Sequence, residues 1–213
     1  QPQAEETADK VRALGHEALV VPVLECRALP GVKIDLAGVS ALAFSSRNAV
    51  AAFAGLSPRR DLPVFAVGDA TAADARDLGF GDVRSADGDV HDLARLIAAA
   101  APSGTVLQPG AKALAGDLAG ELSSAGIHAR ALPIYETVET QCPAPVGIEA
   151  VLIHSPRAAK RVAELVSPQQ AAAMTAFVIS TAAAAALASS KFSRVAVAPY
   201  PNEPAMLKLL GEA

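Results

Sequence analysis

Val39-Ser40-Ala41-Leu42-Ala43-Phe44-Ser45-Ser46-Arg47-Asn48-Ala49-Val50-Ala51-Ala52-Phe53-Ala54-Gly55-Leu56 decides the fold. Its first seven residues form an apolar run too short for a helix, and Gly38 closes it on one side. A polar turn follows, and then a segment of helical period from Arg47 to Leu56. Strand, turn and helix in that order make half of a βαβ crossover, the building block of parallel sheets.

The same alternation extends in both directions. Downstream, strands are expected at Val64–Val67, Asp82–Ser85 and Thr105–Gln108, with helices at Ala70–Leu78, Val90–Ala101 and Lys112–Ala125. His128–Val138 reads as extended, and Cys142–Gly147, with two prolines and a glycine, as a linker. The pattern then restarts: strand Ala150–His154, helix Pro156–Val166, strand Thr175–Ile179, helix Ala182–Ala188, strand Arg194–Ala198 and helix Glu203–Leu210. Upstream, a helix over Ala4–Leu14 precedes a strand over Ala18–Glu25. A helix opening a parallel α/β unit should follow a strand. We therefore expect one strand, about 5–8 residues, ahead of Gln1.

The halves repeat. Phe44-Ser45-Ser46-Arg47-Asn48-Ala49-Val50 aligns with Ile153-His154-Ser155-Pro156-Arg157-Ala158-Ala159, and Phe65-Ala66-Val67-Gly68 with Phe177-Val178-Ile179-Ser180. Gly79-Phe80-Gly81-Asp82-Val83 aligns in turn with Lys191-Phe192-Ser193-Arg194-Val195. Recurrence in one order indicates two copies of one domain. The N-terminal piece alone is too small for a core. Joined to the C-terminal piece, residues 1–25 plus 139–213 make one discontinuous α/β domain, and 26–138 make an α/β domain inserted into it. Two chain crossings between such domains form a hinge, with a polar ligand site expected in the cleft.

Bulk properties narrow the function. The 213 residues are 52% hydrophobic but only 4% aromatic, with no Trp; Ala, Val and Leu supply small contacts between helices and a parallel sheet. No run nears the ~18 apolar residues of a membrane span; the Ala-rich stretches Ile97–Ala101 and Ala182–Leu187 are short helix segments. A net charge of −4 with mixed signs argues against a nucleic-acid partner. Cys26 and Cys142 are too few for a disulfide framework, and no leader is visible, so free thiols in the cytoplasm are expected. The four histidines lack metal-ligand spacing, and neither a phosphate-binding glycine motif nor a nucleophile elbow is present.

The turns after the strands carry what chemistry there is. They are Ser45-Ser46-Arg47-Asn48, Gly68-Asp69-Ala70-Thr71, Gln108-Pro109-Gly110-Ala111-Lys112, His154-Ser155-Pro156-Arg157 and Ser180-Thr181. Each hydroxyl or Asp can simply cap a helix. Together, helix starts with free N–H groups suit a ligand carrying several carboxylates or phosphates. Tyr135, a scarce residue type here, is either a half-buried strand tyrosine or a hydrogen-bond donor and weak acid at the site.

Four segments together resemble the uroporphyrinogen-III synthase family: Ala43-Phe44-Ser45-Ser46-Arg47-Asn48-Ala49-Val50, Phe65-Ala66-Val67-Gly68-Asp69-Ala70-Thr71-Ala72, Pro133-Ile134-Tyr135-Glu136-Thr137 and Ile153-His154-Ser155-Pro156-Arg157-Ala158. The resemblance spans essentially the whole chain. It implies two similar parallel-sheet α/β domains joined by a two-strand linker, the middle domain inserted in the other. It also implies a lyase that cyclises hydroxymethylbilane, a linear tetrapyrrole, without cofactor or metal; with nothing in the sequence suggesting an obligate oligomer, a monomer is expected. By position, Tyr135 matches the tyrosine proposed to assist loss of the substrate hydroxyl. Ser46, Thr71 and Ser155 match polar site residues, and Gly68 and Gly110 match turns where backbone amides approach substrate. Ser45, Arg47, Pro156, Arg157, Ser180 and Thr181 complete the expected binding set. The chain departs from the family in lacking its first strand, with a polar residue at that strand's end. It also has Ala183 where many members carry threonine, a role open to Ser180 or Thr181. The competing reading is a non-enzymatic two-domain sensor of a polyanionic small molecule.

Overall fold

The computed structural model describes residues 2–113 and 116–211. Their elements alternate as a parallel α/β protein requires. In order they are α1 (Pro2–Ala13), β1 (Leu24–Ala28), β2 (Val39–Phe44), α2 (Arg47–Leu56), β3 (Val64–Ala66), α3 (Asp69–Asp77), β4 (Val83–Ser85), α4 (Val90–Ala100) and β5 (Thr105–Ala111). Then come α5 (Leu118–Ser124), β6 (Ala129–Glu139), β7 (Ala150–Ile153), α6 (Pro156–Leu165), α7 (Pro168–Ala172), β8 (Thr175–Val178), α8 (Thr181–Ala185), β9 (Arg194–Val197) and α9 (Glu203–Gly211). Two compact units divide the chain: Gln1–Glu25 with Val138–Ala213, and Cys26–Thr137. No helix among the described residues is long and apolar enough to cross a membrane.

The continuous unit is built on a sheet in the order β1-β6-β5-β2-β3-β4, with β2 parallel to both β3 and β5, β4 parallel to β3, and β6 parallel to β5. Side chains alternate between its faces. Leu42, Phe44, Val64 and Leu107 pack under α2 with Ala49, Val50 and Phe53; Ala41, Ala43, Phe65 and Val106 pack under α4 and α5 with Leu93, Ile97, Leu118 and Leu122. Phe44, Phe53 and Phe80 sit with ring centroids 5.7–6.2 Å apart, in edge or tilted contacts that aromatic quadrupoles favour. Arg60 lies over the Phe80 ring at 4.9 Å and donates to carbonyls of Ala54, Ser57 and Leu78, tying the end of α2 to the turn after α3. Gly79 adopts a φ of +92°, the left-handed conformation that ends α3 and is open to glycine.

The discontinuous unit has a smaller parallel sheet, β7-β8-β9. Ile153, Ala176 and Val178 bury one face with Ala159 and Val162 of α6, Ala183 of α8 and Leu187 just after it; Phe177 and Ala196 bury the other with Ala205, Met206 and Leu210 of α9.

Three expectations fail in detail. The strand placed at Ala18–Glu25 is realised only from Leu24, as the start of β1; residues 16–22 run without regular structure. Beside them β7 forms the sheet edge, and the gap is a groove of about 910 Å³ lined by Val11, Leu19, Val21, Val151, Ile153 and Leu210 among others. A strand needs a neighbour for its N–H and C=O groups, and Ala18–Pro22 lacks one among the described residues. Second, β5 continues through Pro109 and Gly110 to Ala111, because the long β6 offers partners as far as Tyr135. The helix expected over Lys112–Ala125 starts only at Leu118, capped by Asp117; Leu114 and Ala115 lie outside the described residues. Third, α7 interrupts what reads as a plain connection, although Ser167 and Gln170 form a capping box ahead of it.

Candidate functional site

Each strand of a parallel sheet delivers its successor helix at the carboxyl end, so helix starts gather there. In the continuous unit, Ser46 is the N-cap of α2, with φ −162° and ψ 152°, and its Oγ accepts from the Ala49 N–H at 3.1 Å. Ser155 repeats this in the other unit: φ −160°, ψ 154°, and a 3.1 Å bond from Ala158 N–H at the start of α6. Gly68 caps α3 at φ −156° and ψ 171°, and Ser180 caps α8 at φ −157° and ψ 162°, its Oγ accepting from Ala183 N–H at 3.3 Å. The pairs aligned in the sequence therefore share backbone conformation. The hydroxyls do cap helices, as the plainer alternative held.

Capping does not use up these groups. Ser46 Oγ also lies 3.1 Å from the Tyr135 hydroxyl. Tyr135 sits on β6 with its ring in the core, 5% exposed, and its carbonyl accepts from Lys112 N–H at 2.8 Å. Burial pushes its phenol above the ordinary value of 10.0, with the Ser46 bond acting the other way. It is a phenol that stays protonated near neutral pH, fixed at the start of a helix. Cys26, on neighbouring β1, places its Sγ 3.9 Å from Thr137 Oγ1, and both cysteines are free thiols.

Other expected residues are placed as follows. Arg47 is clasped by Asp74: Nε donates to Oδ2 at 2.7 Å and Nη2 to Oδ1 at 2.8 Å, both side chains partly buried. Thr71, in the first turn of α3, is buried, and its hydroxyl has no hydrogen bond among the described residues. Ser45 is half-buried just beyond β2. Gly110 is corrected: it lies inside β5, buried and in register with Pro133, and forms no turn. In the discontinuous unit Pro156 and Arg157 begin α6 on its exposed side, and Arg157 has no ion pair among the described residues. Thr181 is exposed at the start of α8. Beside β7's end, His154 Nε2 lies 3.8 Å from a Glu203 carboxylate that Lys10 and Thr7 also bind.

Two residues are not singled out from the sequence as site residues, Asp74 on α3 and Gln108 on β5. Asp74 is an ordinary helix acid until the fold turns it toward Arg47. Gln108 is 3% exposed on β5, a lone polar side chain after Val106 and Leu107, and that interruption of an apolar run is the signal that marks it. No group of three or more His, Cys, Asp or Glu among the described residues is arranged to hold a metal ion.

Comparisons with known proteins agree with this architecture. A family model described as uroporphyrinogen-III synthase HemD matches residues 5–208. The crystal structure of uroporphyrinogen-III synthetase from Helicobacter pylori 26695 aligns with a TM-score of 0.67 and 20% identity over 92% of this chain and 95% of that one. A mutant uroporphyrinogen III synthase from the extreme thermophile Thermus thermophilus aligns with a TM-score of 0.51 and 16% identity over 100% and 95%. No curated protein sequence matches.

Proposed function

Since the chain belongs to the uroporphyrinogen-III synthase family, a lyase family that cyclises hydroxymethylbilane to uroporphyrinogen III with loss of water and inversion of ring D, we propose that Tyr135 assists the departure of water. The observation that carries this is the buried, protonated phenol bonded to Ser46 at the start of α2. As the substrate's C–O bond breaks, the Tyr135 O–H donates toward the leaving oxygen, which departs as water once it has gained a proton. The pyrrole N–H gives up its proton and an azafulvene remains. Closure through a spiro-pyrrolenine then follows, and holding the chain curled for that closure is work for binding contacts.

Those contacts suit the substrate's eight carboxylates. Helix starts at Ser46, Gly68, Ser155 and Ser180 offer N–H groups and the positive end of the helix dipole. Thr71, Ser45 and Thr181 add hydroxyls, and Arg157 adds an exposed guanidinium after Pro156. Arg47 serves this set indirectly, through its clasp with Asp74. In the same reading the enzyme is a cytoplasmic monomer that works on a small tetrapyrrole without cofactor or metal. Residues 26–138 act as a domain inserted into the other. The free thiols of Cys26 and Cys142 support a reducing compartment.

The test supplies freshly made hydroxymethylbilane and separates the cyclised isomers. Predominantly type III product is expected. Type I alone, the isomer of spontaneous closure, from folded protein would overturn the reading in favour of a non-enzymatic sensor.

A further inference from the structure

Gln108 is a costly residue to bury without a partner. Its backbone is held in β5, in register with Ala131 of β6. The side chain is almost wholly shielded, yet its amide makes no hydrogen bond among the described residues. Among the described residues, the fully shielded side-chain nitrogens and oxygens all have partners apart from Arg161 Nε. Among the same residues the Gln108 amide has none, so the 3% of the residue that stays accessible includes that amide. The stem is packed in the sheet and the head reaches out.

Its direction follows from alternation along β5. Val106 packs on the face covered by α4 and α5, and Leu107 on the opposite one, so Gln108 takes the Val106 face. Ala41 and Ala43 of β2 share that face, and the next such position is Ser45. Leu42 pairs with Leu107, which sets Gln108 beside Ala43. The amide is thus toward the carboxyl end of the sheet, on the face where α4, of 11 residues, begins, while α2 and α3 pack on the opposite face. A positive helix end favours an anion there. Of the carboxylates at the helix starts, Asp89 and Asp117 accept from N–H groups of their own helices, and Asp69 opens α3 exposed to solvent.

We infer that Gln108 is a substrate-binding residue, whose side-chain N–H group donates to a carboxylate of the linear tetrapyrrole, with the Ser45 hydroxyl as its neighbour. The inference rests on the synthase reading and adds a residue that determines affinity. The experiment measures KM, kcat and Tm for the full chain and for Gln108→Met, Gln108→Glu and Gln108→Asn. Met keeps the volume and removes the donor, and KM should rise about tenfold with Tm unchanged, since no protein hydrogen bond is lost. Glu sets an anion against an anion, so its KM should rise further, about a hundredfold. That excess should shrink as pH falls and the new carboxyl, once protonated, becomes a donor. Asn keeps the donor but withdraws it by one methylene, and should fall between wild type and Met. A wild-type chain yielding only type I product removes the synthase reading, and this inference with it. A type III-forming wild type whose variants keep its KM overturns the inference alone. So does a fall in Tm with KM unchanged, the mark of a structural amide.

Discussion

At the scale of single residues, the Tyr135 phenol brings burial and chemistry into one group. Phe in its place keeps the ring packing against Ile134 and Phe44 and removes only the donor. Turnover by Tyr135→Phe is expected to fall by about a hundredfold with KM nearly unchanged; equal turnover would remove the phenol from the mechanism. Its titration gives a second reading. Burial raises the folded pKa above 10.0, so the neutral phenol is favoured in the native state. Its stabilising share is then complete below pH 10 and is lost as pH climbs through the raised value. Activity should therefore show no alkaline limb from this group until above pH 10, which a pH–rate profile extended past pH 10 checks. Thr71 is the proposed binding counterpart: a buried hydroxyl without a protein partner among the described residues. Thr71→Ala should weaken substrate binding by about 1.5–3 kcal/mol if the hydroxyl meets a carboxylate, with little change in melting temperature. Tyr135 was legible because tyrosine is rare in this chain, and Thr71 because it sits in a polar turn after a strand and matches the family there. Asp74 was not legible, since a helix acid declares its partner only when α2 and α3 pack side by side.

At the scale of elements, Ser46 and Ser155 provide a matched pair. Both cap a ten-residue helix with closely similar backbone angles and the same 3.1 Å bond. Removing either hydroxyl should cost about 1 kcal/mol for the lost cap. Ser46→Ala also strips the buried Tyr135 hydroxyl of its partner, so its loss should exceed that of Ser155→Ala by about 1 kcal/mol or more. Denaturant melts of the two variants measure the difference, and equal losses would mean that the Ser46–Tyr135 bond contributes nothing to stability. Capping chemistry of this kind is local, which is why the helix starts at Arg47, Val90, Pro156 and Glu203 could be read from the sequence. Strand limits are not local. Pro109 and Gly110 look like a turn in isolation, and they form strand because β6 runs alongside as far as Tyr135. Ala18–Pro22 has strand composition and no partner among the described residues, and it stays irregular.

At the scale of the whole molecule, the two units differ in how the chain makes them. Cys26–Thr137 is continuous, and its sheet buries apolar side chains on both faces: Leu42, Phe44 and Phe53 on one, Phe65, Leu93 and Ile97 on the other. A segment with two such cores has what independent folding requires. The other unit is assembled from both ends of the chain and has a three-stranded sheet beside an open groove, so it depends on long-range closure. Residues 24–139 expressed alone, a span that includes all of β1 and β6, should therefore give a cooperative thermal transition by circular dichroism with near-native helix content. The same fragment should form no type III product if the proposed binding set, which includes Ser155, Arg157 and Ser180 outside it, is required. A broad, non-cooperative melt would mean that the continuous unit needs the rest of the chain to hold its sheet. Type III product from the fragment would instead confine turnover to the strand ends around Tyr135, and the helix starts of the other unit would lose their part in the reaction.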